Sequence, residues 1–280
     1  MTETPLLRFG VIADPQYVDA DPNPGLDRHY RESLTRLTQA IETFNGRELD
    51  FVITLGDLID RDWASFDAVL PLYRSLRHRA LFLAGNHDFS IDSSHLGAVH
   101  KRLGMPAPYH DLLIRGHRIV LLDGSEVSTF ALPPGHPRYE VAAARLATLK
   151  AAGAHNAESW NGTLSEAQFA WLEQVLDDAV ADGEPVIVFC HYPVWPRNVH
   201  DLWDAPRVLA LLERYPTVRA YLNGHNHAGN EATRGATHFV TFKGMVDTPD
   251  STAFAVVSLY ETRLEIEGFG RELSRTLTAS

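Results

Sequence analysis

Residues 51–60 read Phe-Val-Ile-Thr-Leu-Gly-Asp-Leu-Ile-Asp, an apolar run that stops at a glycine and an acid. The uncharged run, rich in β-branched and aromatic side chains, predicts a buried strand over 51–55. Gly56 then lets the backbone turn sharply, so that the Asp57 carboxylate follows directly after the strand. Residues 80–88, Ala-Leu-Phe-Leu-Ala-Gly-Asn-His-Asp, repeat the pattern. Both segments predict strands whose polar ends lie at the carboxyl edge of a sheet, where α/β proteins place ligands.

Strands and helices alternate along the rest of the chain. Apolar runs predict further strands at 6–13, on both sides of a turn at 115–116, and at 185–190, 218–223, 237–242, 253–260 and 263–269. We expect the last three of these to be antiparallel. Apolar residues at three- and four-residue steps predict helices over 30–44, 66–76, 140–152, 165–179 and around 208–212. This alternation predicts a single α/β domain over residues 1–280, with 124–164 as an insertion over the site.

The composition is that of a globular protein and excludes several classes. Of the 280 residues, 45% are hydrophobic, which suffices for a sizeable core. The formal charge of −11 argues against a nucleic-acid partner, because a backbone binder needs a basic face. No run of about 18 apolar residues predicts a membrane span, and the acidic N-terminus does not resemble a signal peptide. The lone Cys190 cannot form an internal disulfide, so we expect a cytoplasmic protein.

Five predicted strands end in side chains that can bind a metal. They are Asp14 with Gln16, Asp57 with Asp60, Asn86 with His87, His191, and His225 with His227. Each alone has an ordinary structural explanation, such as a helix cap or a turn, but chance does not readily place all five in this order. The donors are oxygen and nitrogen without a thiolate, which suits Mn²⁺, Zn²⁺ or Fe better than a structural zinc.

These motifs resemble the five blocks of the calcineurin-like metallophosphoesterases. The matching motifs are Asp14-Pro15-Gln16, Gly56-Asp57, Gly85-Asn86-His87-Asp88, His191 and Gly224-His225-Asn226-His227. The resemblance implies a four-layer αββα sandwich with mixed β-sheets and flanking helices. It also implies two divalent metal ions bridged by Asp57. One ion is expected to take Asp14, Gln16 and His227. The other is expected to take Asn86, His191 and His225.

Position 16 departs from the usual pattern of this superfamily, which has a histidine there. A carboxamide oxygen is a harder, neutral donor, so we expect the site to favour Mn²⁺, with Fe, Zn²⁺ and Mg²⁺ as alternatives. The Asp-x-Gln motif followed by Tyr17 is similar to the manganese-dependent ADP-ribose/CDP-alcohol diphosphatases. Further segments are similar to the same family: 30–34, 137–140, 161–168 and 244–254.

The resemblance implies hydrolysis of a phosphate ester or anhydride. Two ions about 3.5–4 Å apart can hold a phosphate and share a water whose pKa falls to roughly 7, so a bridging hydroxide is the expected nucleophile. We expect His87 to protonate the leaving oxygen or to stabilise the charge on it, with Asp60 orienting its ring and Asp88 as the rival. Arg61 is a candidate phosphate ligand. Candidates for stacking on a nucleobase are Tyr17, Trp160 and Trp195.

The expected function is cleavage of a phosphoanhydride bond in a nucleoside diphosphate-linked small molecule, such as ADP-ribose or CDP-choline. A phosphomonoesterase and a cyclic-nucleotide phosphodiesterase use the same two metals, so both remain alternatives. The alternative of a different class is an inactive scaffold that serves as a binding module. Against it stands the observation that only position 16 departs from the expected ligand pattern.

Overall fold

The computed structural model of the chain describes residues 3–278. The strands in this range are β1 (Leu7–Ile12), β2 (Phe51–Thr54), β3 (Ala80–Phe82), β4 (His110–Ile114), β5 (His117–Leu121), β6 (Val186–Phe189), β7 (Val218–Asn223), β8 (Asn230–Arg234), β9 (Thr237–Thr241), β10 (Ala253–Leu259), β11 (Arg263–Gly270) and β12 (Arg275–Thr278). The α-helices are α1 (Ser33–Asn45), α2 (Ser65–Val69), α3 (Val99–Arg102), α4 (Pro137–Ala151), α5 (Glu166–Asp182) and α6 (Ala205–Leu212).

These strands form two six-stranded sheets, each with a parallel centre. The order in the first sheet is β12-β11-β10-β1-β2-β3, and in the second β4-β5-β6-β7-β9-β8. Strands β1, β2 and β3 are parallel, as are β5, β6, β7 and β9. Parallel strands that share a sheet end at the same edge, so their carboxyl-terminal loops gather there.

The carboxyl-terminal part of the chain differs from the expected antiparallel run. Strand β9 does not pair with β10 but lies parallel to β7 in the second sheet, whereas β10 pairs with β1 and β11 in the first. The sequence also does not predict the edge strands β8 and β12. Strand β8 is polar and mostly exposed, and the four-residue β12 has a single apolar side chain, Leu277, so neither gives a clear apolar alternation.

The two sheets pack face to face around a shared core. Phe51 and Ile53 of β2 point into this core, while Val52 between them faces the helices on the outer side. Helices α1, α2 and α3 cover the first sheet, and α5 and α6 cover the second. The predicted four-layer αββα sandwich is therefore confirmed. Within residues 3–278, no helix is long and apolar enough to cross a membrane.

Two helices show how local sequence sets the boundaries. The predicted helix over 66–76 is the short α2 followed by a 3₁₀ helix at Leu70–Ser75, because Pro71 lacks the amide hydrogen that a continuing α-helix needs. Ser165 caps the start of α5: its hydroxyl accepts a hydrogen bond from the Gln168 amide at 3.0 Å, and its own amide donates to Glu126 at 3.2 Å. This cap fixes the start of α5 directly after the segment 124–164.

Candidate metal centre

The parallel strands of both sheets end at one edge of the sandwich, and polar residues follow each end. In the first sheet these residues are Asp14, Gln16, Asp57 and Asn86; in the second they are His191, His225 and His227. Asp14, Gln16, Asp57 and His191 are fully buried. The topology brings the strand ends to one edge, and the side chains that follow these strands therefore lie together.

Tight backbone turns carry these side chains from the strands into the site. Four of the residues have positive φ angles: 49° at Asp14, 43° at Gln16, 51° at Asp57 and 65° at His225. The left-handed region costs a non-glycine residue about 1–2 kcal/mol, so surrounding contacts must hold it in place. One such contact is the bond from the Gln16 amide to the Asp57 carbonyl, at 2.8 Å.

Gly85 is needed for close packing of two loops rather than for a turn. Its φ angle lies outside the left-handed region, unlike that of Gly56, which is 92°. A methyl group at Gly85 would lie 2.6 Å from the Asp57 amide nitrogen and 2.7 Å from His191 Cε1. The absence of a side chain therefore lets the loop after β3 pack directly against Asp57 and His191.

The donor atoms form two groups that share the carboxylate of Asp57. In the first group, Gln16 Nε2 lies 3.0 Å from Asp57 Oδ2 and 3.1 Å from His227 Nε2. The same His227 nitrogen is 3.7 Å from Asp14 Oδ1. The three side chains assigned to one ion by the resemblance thus lie on one side of Asp57.

The second group lies against the same oxygen of Asp57. His191 Nε2 is 3.4 Å from Asp57 Oδ2, 3.3 Å from Asn86 Oδ1 and 3.1 Å from His225 Nδ1. Ligand atoms of Asp57, His191 and His225 all lie within 4.8 Å of one another. The side chains assigned to the other ion therefore converge as well.

The chemistry of these groups fits divalent cations. The Oε1 atom of Gln16 is buried without a hydrogen-bond partner among the described residues. Burial disfavours a charged imidazole, but the nearby Asp57 carboxylate outweighs it and raises the pKa of His191 to about 9. Burial, together with His191, lowers the pKa of His225 well below its usual value. Positive charge is therefore favoured beside the Asp57 carboxylate, at a position that a cation can take.

His87 lies beside this cluster and contacts one of the two candidate orienting acids. Its Nδ1 is 2.9 Å from Asp60 Oδ1, and its Nε2 is 3.3 Å from an Arg28 nitrogen. Asp88 instead accepts hydrogen bonds from the amides of Gly85, at 2.9 Å, and Ile59, at 3.1 Å. Burial opposes charge on His87, yet Asp57 and Asp60 outweigh it and raise its pKa.

A cavity of about 460 Å³ opens over the donor atoms. Its lining consists of Gln16, Leu26, Arg28, Asp57, Asn86, His87, Ser90, Trp160, His200, His225 and His227. The Arg28 side chain is 17% exposed, so its guanidinium is held at the wall rather than free in solvent. Leu26 and Trp160 are exposed apolar residues of the same cavity. The cavity thus combines a cationic wall with an apolar rim.

Three residues predicted to bind substrate lie elsewhere. Arg61 is half exposed and forms an ion pair with Asp60 at 2.8 Å. Trp195 lines a separate cavity of about 420 Å³, and the guanidinium of Arg234 lies 4.9 Å from its ring centre. Tyr17 packs with the hydrophobic cluster behind the first sheet. None of the three lines the cavity over the donor side chains, and their role in substrate binding stays a prediction.

Three residues that contact the site carry no motif of their own. Arg28 lies in an irregular loop, so the sequence gives no signal for it. Asn161 Oδ1 is 2.9 Å from His225 Nε2, and Asp247 Oδ1 is 2.8 Å from His227 Nδ1. These two fall within segments that resemble the diphosphatases, 161–168 and 244–254, and that resemblance is the signal that could have found them.

Comparisons with known proteins extend over almost the whole chain. The family model of the calcineurin-like phosphoesterases matches residues 7–229. Two proteins named manganese-dependent ADP-ribose/CDP-alcohol diphosphatase, from Xenopus tropicalis and Arabidopsis thaliana, are each 30% identical to this chain. The matches cover 98% and 95% of this chain, respectively, and 95% of each relative.

A solved structure shows the same architecture. A dimetal phosphatase from Danio rerio superposes on this chain with a TM-score of 0.86 at 26% sequence identity. The match covers 99% of this chain and 100% of that one. The fold is therefore shared along almost the full length of both chains.

Proposed function

Because the chain belongs to the calcineurin-like phosphoesterase family, we propose that it is a manganese-dependent hydrolase that cleaves a phosphoanhydride bond in nucleoside diphosphate-linked small molecules. The names of its relatives indicate the substrate types, ADP-ribose and CDP-alcohols. The observation that carries the proposal is the presence of two donor groups that share Asp57 at the floor of one cavity.

We assign three side chains to each ion and the Asp57 carboxylate to both. One ion would be held by Asp14, Gln16 and His227. The other would be held by Asn86, His191 and His225. When bound, the ions supply positive charge for the phosphoryl oxygens and activate water as Lewis acids. The preference for Mn²⁺ is supported by the neutral oxygen of Gln16 and by the names of the relatives.

We propose that His87 donates a proton to the leaving oxygen. Because Asp60 accepts a hydrogen bond from Nδ1 of His87, the imidazole ring presents Nε2 to the cavity. Nε2 accepts a hydrogen bond from the Arg28 guanidinium at 3.3 Å. When a phosphate takes the Arg28 hydrogen bonds instead, a protonated Nε2 can donate to the oxygen on which negative charge develops as the bond to phosphorus breaks. Asp60 touches the ring rather than the cavity, so its role is to hold His87 in this orientation.

We propose that Arg28 binds a phosphate of the substrate, the role predicted for Arg61. Its guanidinium lies 3.3 Å from His87 Nε2 and lines the cavity. A guanidinium presents several N–H donors in a plane and suits phosphate oxygens better than a point charge does. A phosphate beside Arg28 would also lie within reach of the proton on His87.

Replacing Arg28 with alanine should raise KM about 10- to 100-fold. Hydrogen bonds to charged groups contribute about 1.5–3 kcal/mol, and each 1.4 kcal/mol is a factor of about ten. The measurement is steady-state kinetics with ADP-ribose at saturating Mn²⁺. Arg74→Ala, which removes an exposed arginine of the Leu70–Ser75 helix, is the control and should change KM less than about twofold. An unchanged KM in Arg28→Ala would rule out this role.

We further propose that residues 124–164 form an insertion over the active site within a single domain of residues 1–280. Support comes from Trp160, which lines the cavity, and from Asn161, which contacts His225. The exposed face of Trp160 is suited to a nucleobase, since stacking on an aromatic ring contributes about 1–3 kcal/mol. We place the activity in the cytoplasm, because the single buried Cys190 requires no oxidising compartment.

The function is tested on metal-free protein reconstituted with Mn²⁺, Mg²⁺ or Zn²⁺. We expect Mn²⁺ to support hydrolysis of ADP-ribose and CDP-choline to a nucleoside monophosphate and a second phosphorylated product, detected by chromatography. Turnover of p-nitrophenyl phosphate or 2′,3′-cyclic AMP without either diphosphate would replace the proposal with one of the two esterase alternatives. Bound Mn²⁺ without any turnover would favour the binding scaffold.

A further inference from the structure

The hydrogen bonds around His227 determine which of its nitrogens carries the hydrogen. On one side of the ring, Gln16 Nε2 is 3.1 Å from His227 Nε2 and 3.0 Å from Asp57 Oδ2. On the other side, His227 Nδ1 is 2.8 Å from Asp247 Oδ1, and a carboxylate oxygen only accepts, so Nδ1 carries the hydrogen. The single N–H of a neutral imidazole is then used on the Asp247 side, which leaves Nε2 with a lone pair that faces Gln16.

We propose that Asp247 is a positioning residue that fixes the tautomer and orientation of His227, so that Nε2 presents its lone pair to the cation. This inference rests on the metal centre of the proposed function. A carboxylate behind a metal-binding imidazole also makes the ring a stronger donor. Gln16 in the same donor group is neutral, so the charge behind His227 matters for this ion in particular.

Asp247 is the charged partner among those that hold the three histidines. His191 Nδ1 lies 2.7 Å from the Leu55 carbonyl, and His225 Nε2 lies 2.9 Å from the Asn161 carboxamide. Both of these partners are neutral oxygens. Loss of Asp247 should therefore affect one of the two ions more than the other.

A buried arginine holds the segment that carries Asp247. Arg36 of α1 is 5% exposed and donates hydrogen bonds to backbone carbonyls of the segment. The distances are 2.7 Å to Met245, 3.1 Å to Asp247 and 3.3 Å to Pro249, and Thr248 is a further acceptor. Because the acceptors are carbonyls, these bonds fix the path of the backbone and so the position of the Asp247 side chain.

The segment is also bonded to the two loops that face it. The Val246 amide donates to the Asp14 carbonyl at 3.1 Å, and the Thr248 amide donates to the Asp27 carbonyl at 2.9 Å. The His29 amide donates back to the Val246 carbonyl at 2.9 Å. Asp247 therefore sits on a backbone fixed relative to the cation ligands, as a positioning residue requires.

The test is titration of metal-free protein with Mn²⁺ by isothermal calorimetry. We expect Asp247→Ala to weaken one of the two bound Mn²⁺ ions by about 10- to 100-fold. Asp247→Asn retains an oxygen that can accept from Nδ1 but loses the charge, so its affinity should lie between those of wild type and Asp247→Ala. Asp250→Ala, which removes an exposed carboxylate from the same segment, is the matched control and should bind as wild type.

A spectroscopic readout separates positioning from general damage to the fold. Imidazole ¹⁵N spectra of the metal-free protein should show His227 as the Nδ1–H tautomer in wild type and a shift toward Nε2–H in Asp247→Ala. Equal Mn²⁺ affinity in wild type and both Asp247 variants would overturn this inference and leave the proposed function intact. If Asp247→Ala fails to fold, Asp247→Asn decides in the same way. Wild-type protein that binds no Mn²⁺ would instead contradict the proposed function.

Discussion

Replacing His87 with alanine should lower kcat by about 10²–10⁴-fold while both Mn²⁺ ions remain bound. The expected loss follows from the position of Nε2, which faces the cavity while Asp60 holds Nδ1 at 2.9 Å. Metal binding should survive because His87 contacts Asp57 through its backbone amide, at 2.8 Å, and alanine retains that amide. The measurements are kcat with ADP-ribose and Mn²⁺ stoichiometry by calorimetry.

A change of leaving group shows whether His87 acts as a proton donor. A p-nitrophenyl ester of a nucleotide releases p-nitrophenolate, a leaving group that needs no protonation. Asp60→Asn and His87→Ala should therefore each lose less activity on this ester than on ADP-ribose. His78→Ala is the control, since that ring bonds to the Phe44 carbonyl away from the cavity. A fully active His87→Ala protein would remove His87 from the mechanism, and an equal loss on both substrates would argue for a structural role.

The convergence of the proposed metal ligands could be predicted from sequence because each follows a strand that the local pattern already specifies. The run Phe51–Leu55 alternates between two buried faces and ends at a glycine, so Asp57 is placed by short-range signals alone. Five such endings in one order reveal a common edge. The sandwich follows from the same pattern, because helices and strands alternate with the periods that layered α/β packing requires.

Some features of the site and of the fold depend on contacts between residues far apart in the chain, so the local sequence pattern does not predict them. Arg28 reaches the cavity because its loop is bonded to the segment around Asp247, more than two hundred residues away. Asp88 follows His87 directly in the sequence and Asp60 lies 27 residues before it, yet Asp60 is the acid that contacts the ring. The amides of Gly85 and Ile59 bind Asp88 instead. Strand β9 likewise pairs with β7 and β8 rather than with β10, and no local pattern encodes the pairing with β7.

Replacing Asp57 with asparagine should abolish binding of at least one Mn²⁺ ion and lower kcat/KM by more than about 10³-fold. Both donor groups contact its Oδ2 atom, at 3.0 Å from Gln16 and 3.4 Å from His191, so one substitution weakens both. A factor of 10³ corresponds to about 4 kcal/mol, within the several kcal/mol that metal ions contribute to charge stabilisation. Calorimetry with Mn²⁺ and kinetics with ADP-ribose measure the two effects.

Asp88→Asn is the control for Asp57→Asn, because it also removes a fully buried carboxylate. The Asp88 oxygens bind the backbone amides of Gly85 and Ile59 rather than the donor groups, so this variant tests the loss of a buried charge without the loss of a metal ligand. Both Asp88 oxygens accept from backbone amides, and a carboxamide nitrogen cannot, so this variant should lose about 1–3 kcal/mol of stability. It should nevertheless bind two Mn²⁺ ions while folded. Asp57→Asn should show the opposite pattern, with metal lost and the metal-free protein still folded. If Asp57→Asn bound both ions as wild type does, the shared carboxylate could not be the centre of the site.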